Sequence, residues 1–325
     1  MKKTLILVAL AFGATLLSAA SKPPADFVAL FNGKDLAGWE GRGKTVDPRK
    51  MAEMPATERA AFIKKSTATM TAIDPKTGKP NWYVEGGEFV NGGQGDYAST
   101  VKDFANFELL IEYKTVPGAD SGIYLRGIPQ VQIWDINQKD DAKRPDRRPR
   151  LGSGGLFNNP PGSPGRDPLV PADKPFGQWN TLRIVMVGSR ASVWMNKKLV
   201  VDHAIMHNHY DSKLPEAQRR PILAKGPIQL QTHGGEIRWR NIFLREIGVD
   251  ESNKLLASRG GEGFKKIFNG KNLDGWVGAA DSVEVKNGVM SWKAGTGGVP
   301  YWNKEIGDFK VRLMFKLQPG SNVGF

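Results

Sequence analysis

The chain has 325 residues, a formal net charge of +13 and no cysteine. The missing thiols exclude disulfide stapling, thiolate metal centres, thiol catalysis and a lipid-modified cysteine anchor. A hydrophobic fraction of 40% with 24% charged residues suits a globular chain of one large domain or two modest ones, and the basic balance raises nucleic acid as a partner to be judged by where the charges fall.

In chain order, Lys2 and Lys3 precede an apolar run from Leu5 to Leu17, followed by Ser18, Ala19 and Ala20. This order predicts a signal peptide over 1–20 and a periplasmic or secreted product. The run is shorter than the ~20 residues of a membrane span, so no stable membrane insertion is expected once it is removed.

A segment that occurs twice follows: FVALFNGKDLAGW at Phe27–Trp39 returns as FKKIFNGKNLDGW at Phe264–Trp276. VEGGEF (Val84–Phe89) faces VKNGVM (Val285–Met290), and Asn106–Ile123 faces Asp308–Phe325. The repeat predicts a domain over 26–248, a Gly- and charge-rich linker over 249–263, and a truncated second copy over 264–325. The first copy carries an insertion at about 41–81 in which PATERAAFIKKSTATM, with Thr57 as N-cap, predicts a short helix that decorates an edge or forms a lid.

The rest of the first copy alternates. Phe107, Leu109, Ile111 and Tyr113 share one face of a strand, as do Leu182, Ile184 and Met186; Ala191–Asn196 leads through a Lys-Lys turn to Leu199–Val201. Short strands parted by Gly and Pro clusters predict an all-β antiparallel sandwich. The densest basic run, Lys139–Arg150, is laced with Asp140, Asp141, Asp146 and two prolines; it reads as a solvated loop, and no nucleic-acid partner is expected. Gly152–Pro168 lacks the lysine and helix of a phosphate loop and is expected as a long mobile loop at a groove mouth.

Four ordered blocks then carry a resemblance: LFNGKDLAGW, SGIYLRGIPQVQIWD (Ser121–Asp135), GQWNTLRIVMVGSRASVWMNKKLV (Gly177–Val200) and GPIQLQTHGGEIRWRNIFLREI (Gly226–Ile247). Together they resemble the 3-keto-disaccharide hydrolase family. The resemblance implies a concanavalin A-like jelly roll of two curved antiparallel sheets with a groove on the concave face. It also implies a carbohydrate substrate, a glycoside already oxidised at sugar carbon 3.

A ketone at carbon 3 acidifies the proton on carbon 2, so cleavage by elimination and hydration needs a base, an enolate stabiliser and a proton donor. Alternation puts Gln229, Gln231 and His233 on one face, and Gln130, Gln132 and Trp134 on one face of what reads as a neighbouring strand. Amides, an indole able to stack on a pyranose and an imidazole would make a sugar-binding surface; the plainer alternative is a solvated outer sheet face. His233 is the candidate base or metal ligand, against a histidine simply bonded at a strand end. Asp135 is the candidate acid or base, or else a turn cap. Arg126 and Arg238 are candidates to stabilise an enolate oxygen, or surface ion-pair partners.

Many relatives carry a glutamate where this chain has Gln130, and an amide cannot do acid or base work. That departure keeps open a non-catalytic, lectin-like carbohydrate-binding module, which tandem duplication would also suit. No cofactor is required. A divalent cation would suit an enolate, but its ligands stay unassigned: His207 and His209 could hold one only from a single strand, and otherwise belong to a polar loop.

Overall fold

A computed structural model describes residues 21–140, 142–215, 218–220, 222–258, 266–293, 295–305, 311, 313–318 and 320. The signal peptide expected over 1–20 and most of the repeat block at 308–325 lie outside these residues. The chain divides into two compact units, Met1–Arg259 and Gly260–Phe325.

The first unit runs β1 (Val28–Ala29), β2 (Trp39–Gly41), α1 (Pro48–Glu53), α2 (Ala56–Thr71), β3 (Trp82–Glu85), β4 (Glu88–Asn91), β5 (Ala98–Thr100), β6 (Phe107–Thr115), β7 (Ser121–Leu125) and β8 (Ile128–Ile133). It continues through β9 (Asn180–Val187), β10 (Arg190–Met195), β11 (Lys198–Ile205), β12 (Ile228–Leu230), β13 (Ile237–Glu246) and α3 (Val249–Ser258). One antiparallel sheet has the order β11-β10-β9-β6-β13-β4-β3, with β1 on β13; the other is β2-β5-β12-β7-β8. Phe107, Leu109 and Ile111 of the first sheet and Ile123, Leu125, Val131 and Ile133 of the second enter one core, because alternate residues of a strand face the same way. This is the all-β sandwich that the resemblance implies.

Three local expectations change. The insertion helix begins at Ala56 behind Pro55 as N-cap, which leaves Thr57 inside the first turn, and a second helix, α1, precedes it with the Asp47 side chain capping Arg49 N–H. α2 lies on the edge strand β2, where Gly41 N–H donates to Thr67 at 2.9 Å and a Cβ at Gly41 would fall 2.4 Å from Ser66 backbone; the insertion thereby covers a sheet edge that would otherwise invite pairing. Residues 249–258, read as linker, form α3, held by Arg245 bonding the Glu251 carboxylate.

The Gly152–Pro168 segment is tied down. Along the free edge of β8, Gly154 N–H donates to the Gln132 carbonyl and Gln132 N–H to the Gly155 carbonyl, and buried Arg166 donates to the carbonyls of Phe157, Asn159 and Asp146.

In the second unit, β14 (Trp276–Val277) pairs with β17 (Tyr301–Trp302), and β15 (Val283–Lys286) with β16 (Val289–Trp292).

Candidate functional site

The face of the five-stranded sheet turned away from the core is polar, and cross-strand register arranges it in rows. Ser99, Gln229, Tyr124 and Gln130 stand opposite one another on β5, β12, β7 and β8. The next row is Tyr97, Gln231, Gly122 and Gln132, joined by the Gln231 amide donating to the Tyr97 hydroxyl at 3.2 Å and by the Gly122–Gln132 pairing. A third row brings together His233, Asp120 and Trp134. The two glutamine-bearing segments are thus not neighbours: β7 lies between them and contributes Gly122 and Tyr124, with Asp120 just ahead of it.

Asp120 is the centre of the third row. Its Oδ2 lies 3.1 Å from His233 Nδ1 and accepts from Arg147 at 2.8 Å, while Oδ1 accepts from Gln132 Nε2 at 2.7 Å. Gly234 and Gly235, both at positive φ, follow His233, and a Cβ on Gly235 would fall 2.6 Å from Ala119. Only glycine permits that approach, which seats the His233 turn against Ala119 and Asp120. The hydrogen bond to Asp120 raises the His233 pKa above its ordinary value, against desolvation and against the charges of Arg147 and Lys44. With Nδ1 engaged, Nε2 is the nitrogen left for chemistry. His233 is open to solvent, its side chain 60% exposed, whereas that of Asp120 is 10% exposed.

The amides form a wired chain. Gln132 Nε2 is fixed by Asp120 and by the carbonyls of Ser121 and Ile133, so its Oε1 faces Gln130 and accepts from Gln130 Nε2 at 2.5 Å. Gln130 Oε1 then projects over Gly122, where a Cβ would come within 2.4 Å of it. That oxygen and Gln231 Oε1 are buried with no hydrogen-bond partner, and such atoms carry a desolvation cost unless a water or ligand meets them. Arg49 of α1 donates to Asp47 and, through both terminal nitrogens, to Asp211 at 2.9 Å, which ties α1 to the 3-10 turn at His209–Asp211.

The remaining sequence candidates lie elsewhere or are occupied. Trp134 is on the right face but only 7% exposed, with Arg147 4.9 Å above its ring and Phe157 edge-on; its face is covered by a guanidinium, not open for a sugar. Both Asp135 oxygens accept backbone N–H groups, from Asn137 and Gly118 at 2.8 Å, so it clips the start of β7 to the end of β8, and the carboxylate at His233 is Asp120. Arg126 sits at positive φ in the two-residue β7–β8 turn, its guanidinium buried on the carbonyls of Ala105, Gly188 and Leu223; burial pushes its pKa down to about 10. Arg238 belongs to β13 of the other sheet and pairs with Glu85, Glu88 and Glu236. Neither arginine joins the His233 cluster.

His209 heads a short 3-10 turn and His207 donates its backbone N–H to Asn159, so the pair does not lie on one strand. Among the described residues, no three His, Asp or Glu side chains gather as a metal centre requires. An open concavity of about 380 Å³ lies on the eight-stranded sheet, between Leu110, Trp194 and Phe243, and contains none of the His233 cluster.

Sequence reasoning missed Asp120, Arg147, Tyr97 and Tyr124. Alternation from the core residues Ile123 and Leu125 would have placed Asp120 and Tyr124 on the polar face; nothing local marks Arg147, which comes from the run read as solvated.

The family model described as "3-keto-alpha-glucoside-1,2-lyase-like domain" matches residues 26–245 and again 263–325. A 3-keto-disaccharide hydrolase from Bacteroides thetaiotaomicron is 24% identical over 255 residues, covering 67% of this chain and 78% of that protein. Two crystal structures of candidate glycosyl hydrolases from Parabacteroides distasonis are also similar. The first has TM-score 0.47 and 17% identity, covering 69% of this chain and 94% of the other; the second has TM-score 0.45 and 23% identity, covering 69% and 85%.

Proposed function

Because the chain belongs to the 3-keto-alpha-glucoside-1,2-lyase-like domain family, we propose that it cleaves 3-keto-glycosides by elimination, with His233 as the base and Asp120 as the group that orients it. The observation that carries this reading is the contact of His233 Nδ1 with a largely buried carboxylate while the ring stays open to solvent. An imidazole held by a carboxylate on one nitrogen offers the other as a proton acceptor, and the carboxylate stabilises the imidazolium that results. His233 Nε2 takes the carbon 2 proton, the electron pair passes into the enolate at carbons 2 and 3, and the carbon 1–oxygen bond breaks. Addition of water to the enone completes a net hydrolysis. Arg147, on the same carboxylate and beside His233, supplies fixed positive charge where the enolate develops. The residue 1–20 segment supports export, so the reaction is placed in the periplasm or outside the cell.

The test is to incubate the protein with matched oxidised and unoxidised disaccharides in deuterated water. Release of sugar from the 3-keto substrate alone, with deuterium at carbon 2, is the expected result. Equal cleavage of both would refute it, and saturable binding without cleavage would favour the lectin-like alternative that Gln130 keeps open.

A further inference from the structure

We infer that Tyr97 is the proton donor to the departing oxygen, an assignment that rests on the elimination reading above. Elimination leaves an alkoxide when a sugar departs, and an alkoxide is a poor leaving group unless it is protonated as the bond breaks. His233 cannot serve at that moment, because it is receiving the carbon 2 proton. Gln130 and Gln132 are amides, and both oxygens of Asp135 are engaged by backbone N–H groups.

The tyrosine hydroxyls remain. Tyr97 and Tyr124 stack with ring centroids 5.6 Å apart. The Tyr97 oxygen accepts from Gln231 Nε2 and lies 3.3 Å from the hydroxyl of Thr45, an exposed residue at positive φ. Both tyrosines are buried, and in Tyr124 burial first, then the neighbouring Tyr97, Tyr210 and Asp120, push the phenol well above the usual range. Tyr124 therefore keeps its proton. The Tyr97 oxygen accepts from Gln231, which would spread the charge it carries as a phenolate, and it lies beside the hydroxyl of the exposed Thr45.

The spacing suits a two-handed elimination. Gln231, which holds Tyr97, stands two residues before His233, so the row of Tyr97 and the row of His233 are adjacent on the polar face, ~7 Å apart along the chain. A sugar lying across these two rows can present its carbon 2 hydrogen to the His233 row and its carbon 1 oxygen to the Tyr97 row. The carbon 2 proton goes to His233 Nε2, the carbon 1–oxygen bond breaks, and the departing oxygen takes the Tyr97 proton. On hydration, water returns a proton to Tyr97 and a hydroxyl to carbon 1, and His233 returns its proton to carbon 2.

Two substrates separate this role from a structural one: a 3-keto-disaccharide, whose leaving group needs protonation, and 4-nitrophenyl 3-keto-glucoside, whose leaving group does not. In the full chain, Tyr97→Phe keeps the ring stacked on Tyr124; it should slow the disaccharide by ~100-fold or more and leave the nitrophenyl glycoside within a few-fold of wild type. Equal loss on both substrates, or no loss on either, overturns the assignment. Fluorotyrosine at position 97 provides a second measurement, because it lowers the phenol pKa without changing its packing. The alkaline limb of the disaccharide profile should move down, and an unmoved limb also overturns the assignment. A wild-type chain that cleaves neither substrate, or His233→Ala at full rate on both, sinks the elimination reading itself; intact His233 dependence with a silent Tyr97 sinks only the donor.

Discussion

Trp39 in the first unit and Trp276 in the second begin from the same local structure and end in different surroundings. Each indole donates to the carbonyl nine residues earlier, Trp39 to Leu30 at 2.8 Å and Trp276 to Ile267 at 2.9 Å. Asn32 and Asn269 each accept two backbone N–H groups in the preceding turn. The hairpin of β3 and β4 turns at Gly86-Gly87, and that of β15 and β16 at Asn287-Gly288, all at positive φ. Yet Trp39 is 5% exposed with Phe89 at 5.2 Å, while Trp292 and Tyr301 of the second unit are 42% and 58% exposed. Local sequence builds the turn and hairpin twice; burial requires the facing sheet, which only the first unit displays among the described residues.

The largest expected effect tests whether chemistry resides in the first unit. His233→Ala should lower activity on a 3-keto-disaccharide by ~10²- to 10⁴-fold, measured as kcat/KM, although the second unit is untouched. Next comes the tryptophan pair. Trp39→Ala should cost ~3–5 kcal/mol of first-unit stability, the usual penalty for truncating a buried large aromatic, whereas Trp276→Ala should leave the main melting transition in place; equal shifts would break the comparison.

Gly122→Ala should cost ~1–3 kcal/mol by overpacking, because the new methyl meets Gln130 Oε1 at 2.4 Å and the Val131 carbonyl at 3.0 Å. Part of that loss should return in Gly122→Ala with Gln130→Ala, and simple additivity in chemical denaturation would contradict the contact.

The smallest effect sharpens the comparison by sequence. Asn322 of the second copy aligns with Asp120, so Asp120→Asn gives the first copy the residue of the second. The folded-state pKa of His233 is raised chiefly by Asp120, so the contribution of protonated His233 to stability is complete below the unfolded value of ~6.5 and fades as pH rises through the folded value. Activity needs the neutral ring and should rise with pH through that same folded value. Asp120→Asn should move this limb down toward ~6.5 and lower the plateau, and a pH–rate profile with an unmoved limb would separate Asp120 from His233.

Particular residues show what could be read in advance and why the rest could not. The parity of Gln130, Gln132 and Trp134, and of Gln229, Gln231 and His233, was legible, since a strand obliges alternate side chains to share a face. The same rule applied to Ile123 and Leu125 would have added Asp120. Asp135 misled because a carboxylate beside polar residues looks the same in a chain whether it faces a substrate or two backbone N–H groups. Arg126 misled because a buried arginine in a hairpin turn is visible only once Ala105, Gly188 and Leu223 are in place around it.

The amino-acid order by itself determined the repeat, the alternation and hence the two-faced strands, the turns at glycine, and the family resemblance. All of these depend on neighbours a few residues apart. Tertiary structure alone decided that β7 would lie between the two glutamine strands, that Asp120 rather than Asp135 would meet His233, and that Arg147 would cross from the basic run to cap both Asp120 and Trp134. Those pairings join segments distant along the chain, and hydrogen-bond register and packing select them only when the sheets close on a common core.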